Sequence, residues 1–346
     1  MEISLKKIIF VQDISNAKLM EFKKLIDRGA ELERMNEALH REDTQFIVIY
    51  GRRRIGKSEL IKRIVKARHK AIYFLSDTSS ETIQRVAFSK VAASVIDGFD
   101  KVIYPDWETL FRSFNNQLSE RMLVCLDEFP YLVKSCDVLP SIIQKLLNEK
   151  ILKFDLVLCG SSQQLMHGYV LNRQSPLYGL ANEIIKMQPI PAQYMSMAME
   201  CDAVQAVEEY AIWGGVPRYW ELRRDYPDKE TAIRKVLLDP QGPLIEEPQR
   251  LLRDDMRDTV QASTLLTIIG NGANKLSEIA NRAGKDSSTI SEPLSKLREL
   301  GYVSREVPFG ESPKKSKKGI YHINDSLLRF HYQLQQLHKV DTKNDY

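Results

Sequence analysis

Phe46-Ile47-Val48-Ile49-Tyr50-Gly51-Arg52-Arg53-Arg54-Ile55-Gly56-Lys57-Ser58 is the stretch whose reading decides the fold. An apolar run leads directly into the spacing Gly-x-x-x-x-Gly-Lys-Ser, and Glu59-Leu60-Ile61-Lys62-Arg63-Ile64-Val65 after it has helical patterning. Strand, glycine-rich turn and helix in that order form a phosphate-binding loop. Gly51 and Gly56 let consecutive backbone N–H groups turn inward, and the helix beginning near Lys57 adds the positive end of its dipole to the same concavity. Lys57 is placed to reach the β- and γ-phosphates of a nucleotide, and Ser58 to ligate the Mg2+ that bridges them.

A phosphate loop alone does not separate kinases from GTPases and ATPases. Met122-Leu123-Val124-Cys125-Leu126 reads as a buried parallel strand ending in Asp127-Glu128. Adjacent side chains at a strand end point differently, so Asp127 is expected in the metal shell while Glu128 polarises an attacking water. That division favours hydrolysis over transfer to a small acceptor. The Asn-Lys pair at Asn274-Lys275 continues as Leu276-Ser277 and lacks a guanine-reading aspartate, which favours ATP over GTP. A third strand, Asp155-Leu156-Val157-Leu158-Cys159, ends in Gly160-Ser161-Ser162. Ser161 or Ser162 is positioned to sense the γ-phosphate, and serine before Gln163-Gln164-Leu165-Met166 is equally a good helix cap.

The 346 residues, 43% of them hydrophobic, suffice for two or three domains. No run approaches the roughly 20 apolar residues of a membrane span, and Met1-Glu2-Ile3-Ser4-Leu5-Lys6-Lys7 lacks a secretory pattern, so a cytoplasmic location is expected. Cys125, Cys136, Cys159 and Cys201 show no metal-binding spacing and read as buried reduced thiols. A net charge of +4 says little by itself about nucleic acid.

Strand signals at Phe46 to Tyr50, Ala71 to Leu75, Met122 to Leu126, Asp155 to Cys159 and Glu183 to Met187 alternate with helical segments such as Glu31 to His40, Thr82 to Ile96 and Trp107 to Ser119. The pattern predicts an α/β core with a mostly parallel sheet over 27–190, after a lead segment 1–26. Helical stretches, including Asp202 to Tyr210 and Thr231 to Leu238, dominate 191–260, an expected all-α lid. Within it, Gly214-Gly215-Val216-Pro217-Arg218 forces a turn and starts a helix. Pro217 and Arg218 either meet bound phosphates or simply form an interhelical turn.

Residues 261–323 read as three helices, Ser263 to Ile269, Leu276 to Ala283 and Ser287 to Leu300, then strands at Tyr302 to Pro308 and Gly319 to Ile323, a winged-helix pattern before a helical tail over 324–346. Ile279, Ile290, Leu294, Leu297 and Leu300 are spaced for its core, and Asp286 or Ser287 is the expected cap of the third helix. Ser288, Thr289 and Lys296 are candidates to face a DNA groove, with Lys314, Lys315, Lys317 and Lys318 on a basic wing for backbone phosphates. A protein partner, or a second copy of the chain, is the alternative for this module.

These motifs together resemble the archaeal-type P-loop ATPases, a family near the AAA+ and STAND groups. The resemblance spans about residues 25 to 335 and rests on Arg28 with Glu31-Leu32, the arginine-rich loop 51–58, Leu126-Asp127-Glu128-Phe129, Gly160-Ser161-Ser162, Ser175-Pro176-Leu177-Tyr178-Gly179, Gly214 to Tyr219, and Gly242-Pro243-Leu244 with Glu246-Glu247. It implies an AAA+-like core carrying both Walker motifs, a helical lid and a winged helix. It also implies a site with Lys57, Glu128, Ser161 and Arg218 as catalytic residues and Ser58 and Asp127 at Mg2+. Arg28, Gly51, Arg52, Arg53, Arg54, Ile55, Gly56, Lys57, Ser58, Glu59 and Pro217 would surround ATP. Arg52, Arg53 and Arg54 are expected to face solvent or a neighbouring subunit. Relatives carry a further nuclease-like C-terminal domain, whereas this chain ends at Tyr346. They also carry an arginine after Tyr178-Gly179, where this chain has Leu180-Ala181-Asn182. The implied activity is a slow or partner-stimulated ATP hydrolase acting as a switch, with a non-hydrolysing, nucleotide-stabilised scaffold as the alternative.

Overall fold

A computed structural model of the chain describes residues 27–312, 316 and 318–341, with side chains of the last helix described as far as Gln333. The chain divides into two compact units: Met1–Arg52, Gly56–Ser161 and Gly168–Tyr194 in the first, and Arg53–Ile55, Ser162–His167 and Met195–Tyr346 in the second. The expected lead segment 1–26, and Lys314, Lys315 and Lys317 of the expected wing, lie outside the described residues.

In chain order the first elements are α1 (Gly29–Leu39), β1 (Phe46–Tyr50), α2 (Lys57–Lys66), β2 (Ala71–Leu75), α3 (Glu81–Ala92), α4 (Trp107–Gln117), β3 (Met122–Asp127), α5 (Phe129–Ser135), α6 (Leu139–Asn148), β4 (Phe154–Gly160), α7 (Gln163–Met166) and β5 (Glu183–Lys186). All of them except α7 belong to the first unit. Its five strands form one parallel sheet in the order β2-β3-β4-β1-β5. Strands β3 and β4 are buried at every position, as a strand covered on both faces requires. The backbone pairs Phe46 with Leu156 and Cys125 with Val157, so β4 separates the loop-bearing strand from the strand of Asp127.

Edge strand β2 shows how period-two alternation places side chains on the two faces. Phe74 turns to α3 and meets the Phe88 ring edge-on with centroids 5.5 Å apart. Phe88 in turn makes edge-to-face contacts with Trp107, Phe111 and Phe114 of α4. Such pairs add about 0.5–1.5 kcal/mol each beyond the area they bury. Tyr73, the preceding residue, faces the opposite side, beneath Lys62 of α2. Helix α3 ends at Ala92 rather than Ile96 because Ser94 and Val95 bond to carbonyls three residues back, tightening the chain into the turn at Gly98, whose φ is 75°.

The second unit adds α8 (Met195–Met199), α9 (Ala203–Trp213), α10 (Pro217–Arg224), α11 (Lys229–Ala232) leading into a π-helical turn over Ile233–Leu238, α12 (Glu247–Asp255), α13 (Thr259–Gly270), α14 (Leu276–Ala283), α15 (Ser287–Glu299), β6 (Val303–Glu306), β7 (Ile320–Ile323) and α16 (Ser326–Asp341). The single helix expected over 231–238 is thus two pieces. The Asp239 N–H bonds to the Arg234 carbonyl five residues back, which widens the last turn. Strands β6 and β7 pair antiparallel, Val303 opposite Ile323. Ile279, Ile290, Leu294, Leu297 and Leu300 all enter the core that α13, α14 and α15 form with Leu265, Leu266 and Tyr302. Asp286 occupies the cap position of α15, but its side chain makes no capping bond. Its carbonyl instead accepts from the N–H groups of Thr289 and Ile290.

All four cysteines are free. Cys125, Cys136 and Cys159 are buried, whereas Cys201 is partly exposed and departs from the expected burial. Among the described residues no helix is long and apolar enough to cross a membrane.

Candidate nucleotide site

The loop between β1 and α2 is shaped by two glycines. A Cβ on Gly51 would lie 2.6 Å from the Met187 carbonyl oxygen, so no larger residue passes there. Gly56, with φ of 97°, is the left-handed cap from which α2 starts. Lys57 is 5% exposed, and its Nζ donates to the carbonyls of Gly51 and Arg52 at 2.9 Å each, arching over the loop with one of its three donors left.

Asp127 ends β3 and is fully buried. Its Oδ2 accepts the Ser58 hydroxyl at 2.6 Å and the Tyr73 hydroxyl at 2.6 Å, while Oδ1 accepts the Glu128 N–H at 2.9 Å. Ser76 Oγ lies 2.7 Å from the Asp127 carbonyl oxygen and 2.6 Å from that of Glu128, its one proton shared between the two acceptors, pinning the strand end. Burial, the bond to Asp127 and that carboxylate's charge push the Tyr73 phenol far above its ordinary range. The Cys159 thiol is likewise pushed up, first by burial and then by Asp127.

Glu128 stands in the left-handed region with φ of 54°, which turns its side chain away from that of Asp127. Its Oε2 accepts the Ser161 hydroxyl at 2.9 Å and the Ser161 N–H at 3.2 Å. The two serines after β4 therefore differ in role: Ser161 holds Glu128, and Ser162 caps α7, accepting the Leu165 N–H at 3.3 Å. A serine hydroxyl and a carboxylate in mutual contact are hard oxygen donors that fit Mg2+, which is commonly held by one or two carboxylates together with phosphates. When bound, that ion would neutralise phosphate charge.

The remaining expected residues are distributed as follows. Arg28 is buried and donates to Glu31 and to the Gln188 carbonyl, each at 3.0 Å, tying α1 to the chain beyond β5. Glu59 is exposed beside Arg63. Ile55 is buried. The loop arginines do not simply face solvent. Arg52 is 6% exposed, and Arg54, left-handed at φ of 66°, pairs with the buried Glu247 at 2.7 Å. Arg53 alone of the three is more than half exposed, beside Asp254 at 3.6 Å. Within the second unit Glu247 also accepts the Tyr219 hydroxyl at 2.9 Å. Pro217 opens α10, and Arg218 pairs with Glu221 in an exposed contact at 2.8 Å. Sequence reasoning missed Tyr73, which lies in no spacing motif, and gave Glu247 no role beyond its place in the Glu246-Glu247 pair; each matters only through folding.

In the second unit Ser288 and Thr289 are exposed on α15, and Lys296 is half-buried beside Glu299 at 3.6 Å. Lys318 pairs with Glu311 at 3.1 Å.

Residues 25–221 match the family described as an ATPase domain predominantly from Archaea. The chain belongs to that family. The chain is also 32% identical over 315 residues to an uncharacterized protein of Methanocaldococcus jannaschii, a match covering 89% of this chain and 68% of that one. The fold is that of the α/β P-loop ATPases. It is similar to the Walker-type ATPase PABY2304 of Pyrococcus abyssi, with a TM-score of 0.64 at 19% identity over 89% of this chain and 96% of that one. It is also similar to the ORC2 protein of Aeropyrum pernix, solved in complexes with ADPNP and ADP, with a TM-score of 0.57 at 12% identity over 93% and 96%.

Proposed function

We propose that this ATPase binds Mg2+-ATP at the 51–58 loop, hydrolyses it through Glu128, and uses the nucleotide state as a switch. The observation that carries the reading is the separation of two carboxylates at one strand end. Asp127 is committed to Ser58 at 2.6 Å, while Glu128, the next residue, is turned aside and held by Ser161 at 2.9 Å. One carboxylate is thus available to a metal and the other to a water, as NTP hydrolysis needs. Ser161 is the γ-phosphate sensor in this reading, because a phosphate oxygen competing for its hydroxyl would release Glu128.

In the same reading 27–190 is the ATPase core, 191–260 a lid whose Pro217 and Arg218 report on nucleotide, and 261–323 a winged helix. Three helices followed by an antiparallel strand pair support the last assignment, and α15 with its exposed Ser288 and Thr289 is the element offered to double-stranded DNA. Leu180 in place of the family's arginine argues for slow turnover.

The test is ATP hydrolysis by the wild type and Glu128→Gln, with and without duplex DNA at two salt concentrations. Turnover that is lost in the variant while ATP binding survives supports the mechanism. DNA binding or stimulation that falls with salt supports the DNA partner. Persistent nucleotide binding with no turnover in either protein would replace the switch with a nucleotide-stabilised scaffold, a reading that Leu180 also favours.

A further inference from the structure

We propose that Tyr73 is a positioning residue of the metal site, its hydroxyl fixing the Asp127 carboxylate toward the Mg2+ that accompanies ATP. The inference rests on the nucleotide reading above. The donors that converge on Asp127 include Ser58, Tyr73 and the Glu128 N–H. Ser58 belongs to the loop and the Glu128 N–H to the main chain. Tyr73 is the contribution of the neighbouring strand, brought across by the register that pairs it with Cys125 and Leu75 with Asp127. A carboxylate with no solvent exposure must find its partners within the protein. Tyr73 and Ser58 share the same oxygen, so together they set the plane of the carboxyl group. Lys62 lies over the Tyr73 ring at 5.5 Å, a cation–π contact that helps hold the ring in place.

The ring of Tyr73 is half-buried and phenylalanine would fill its space, so what the hydroxyl adds is its bond to Asp127 together with its contact with Ser58, the other partner of that carboxylate. Partners that orient a metal-holding side chain are typically worth about 10- to 100-fold in metal affinity. The effect should appear only when the metal takes part.

The experiment is ATP binding by calorimetry to the wild type and Tyr73→Phe, in EDTA and across a Mg2+ titration, with thermal melts of both. The same substitution in an Asp127→Asn background reads any effect of packing alone. The expected result is unchanged ATP affinity in EDTA, and a Mg2+ midpoint raised about 10-fold or more in Tyr73→Phe. No such displacement is expected in the Asp127→Asn background. A wild type that shows no Mg2+-dependent ATP binding overturns the nucleotide reading, and this inference with it. A Mg2+-dependent wild type matched by Tyr73→Phe overturns the role of Tyr73 alone. Equal losses with and without Mg2+, or in both backgrounds, reduce Tyr73 to packing and also overturn it.

Discussion

Removing Glu247 tests whether Arg54 of the phosphate loop is truly held. Glu247 is 1% exposed and accepts from Arg54 at 2.7 Å and from the buried Tyr219 hydroxyl at 2.9 Å. Glu247→Ala leaves a cation that is 24% exposed and a hydroxyl that is not exposed at all. Breaking a buried pair by removing one partner costs about 3–5 kcal/mol, and the partial exposure of Arg54 places this case near 3. Loss of the Tyr219 hydrogen bond adds about 1 kcal/mol. The total, about 4 kcal/mol, is a large part of the roughly 5–15 kcal/mol that holds a domain together. Arg54→Met strands the buried carboxylate instead and should cost a similar amount. The double variant strands no charge, so its cost should fall short of the sum by about 2 kcal/mol. Urea unfolding followed by tryptophan fluorescence measures all four proteins, with Trp213 and Trp220 reporting from the second unit. Costs that simply add, or a Glu247→Ala cost under about 1 kcal/mol, would refute the pairing as an energetic link.

Ser161→Ala removes the 2.9 Å bond to Glu128 but leaves the backbone N–H contact. Steady-state ATPase kinetics should show kcat lowered about 10-fold with KM unchanged, matching the loss of one hydrogen bond to a charged group. Lys57→Ala should weaken ATP binding at least 30-fold by calorimetry, the equivalent of about 2 kcal/mol for a charge-assisted contact. Asp255 is held above the ordinary aspartate range by burial, against the lowering effect of its bonds to Tyr302 and the N–H groups of Gln164 and Gln163. Its folded form therefore takes up a proton more readily than its unfolded form, and its contribution to stability falls as pH rises from the unfolded value through the folded one. Melting temperatures of the wild type and Asp255→Asn across pH 4 to 7 should shift progressively in favour of the asparagine variant. A constant difference would contradict the shift.

The sequence by itself determined the chemistry-bearing framework. Gly51, Gly56, Lys57 and Ser58 carry a spacing dictated by phosphate geometry, and the unbroken apolar runs of β3 and β4 follow from burial on both faces, so both are legible one residue at a time. The core of α13, α14 and α15 was legible for the same reason, since helical periodicity marks its buried positions. Helix ends were less so: α3 stops at Ala92 and the 231–238 segment splits because of local carbonyl contacts that no pattern encodes.

What only the tertiary structure decided is which distant side chains share a partner. Strand order places β4 between β1 and β3, and that alone brings Ser161 to Glu128. Register alone brings Tyr73 to Asp127, and packing alone converts Arg54 from an exposed loop cation into the partner of Glu247. Local sequence fixes dihedral preferences and which faces are apolar. Contacts between residues 33, 54 and 193 positions apart follow from chain topology, which no short motif contains.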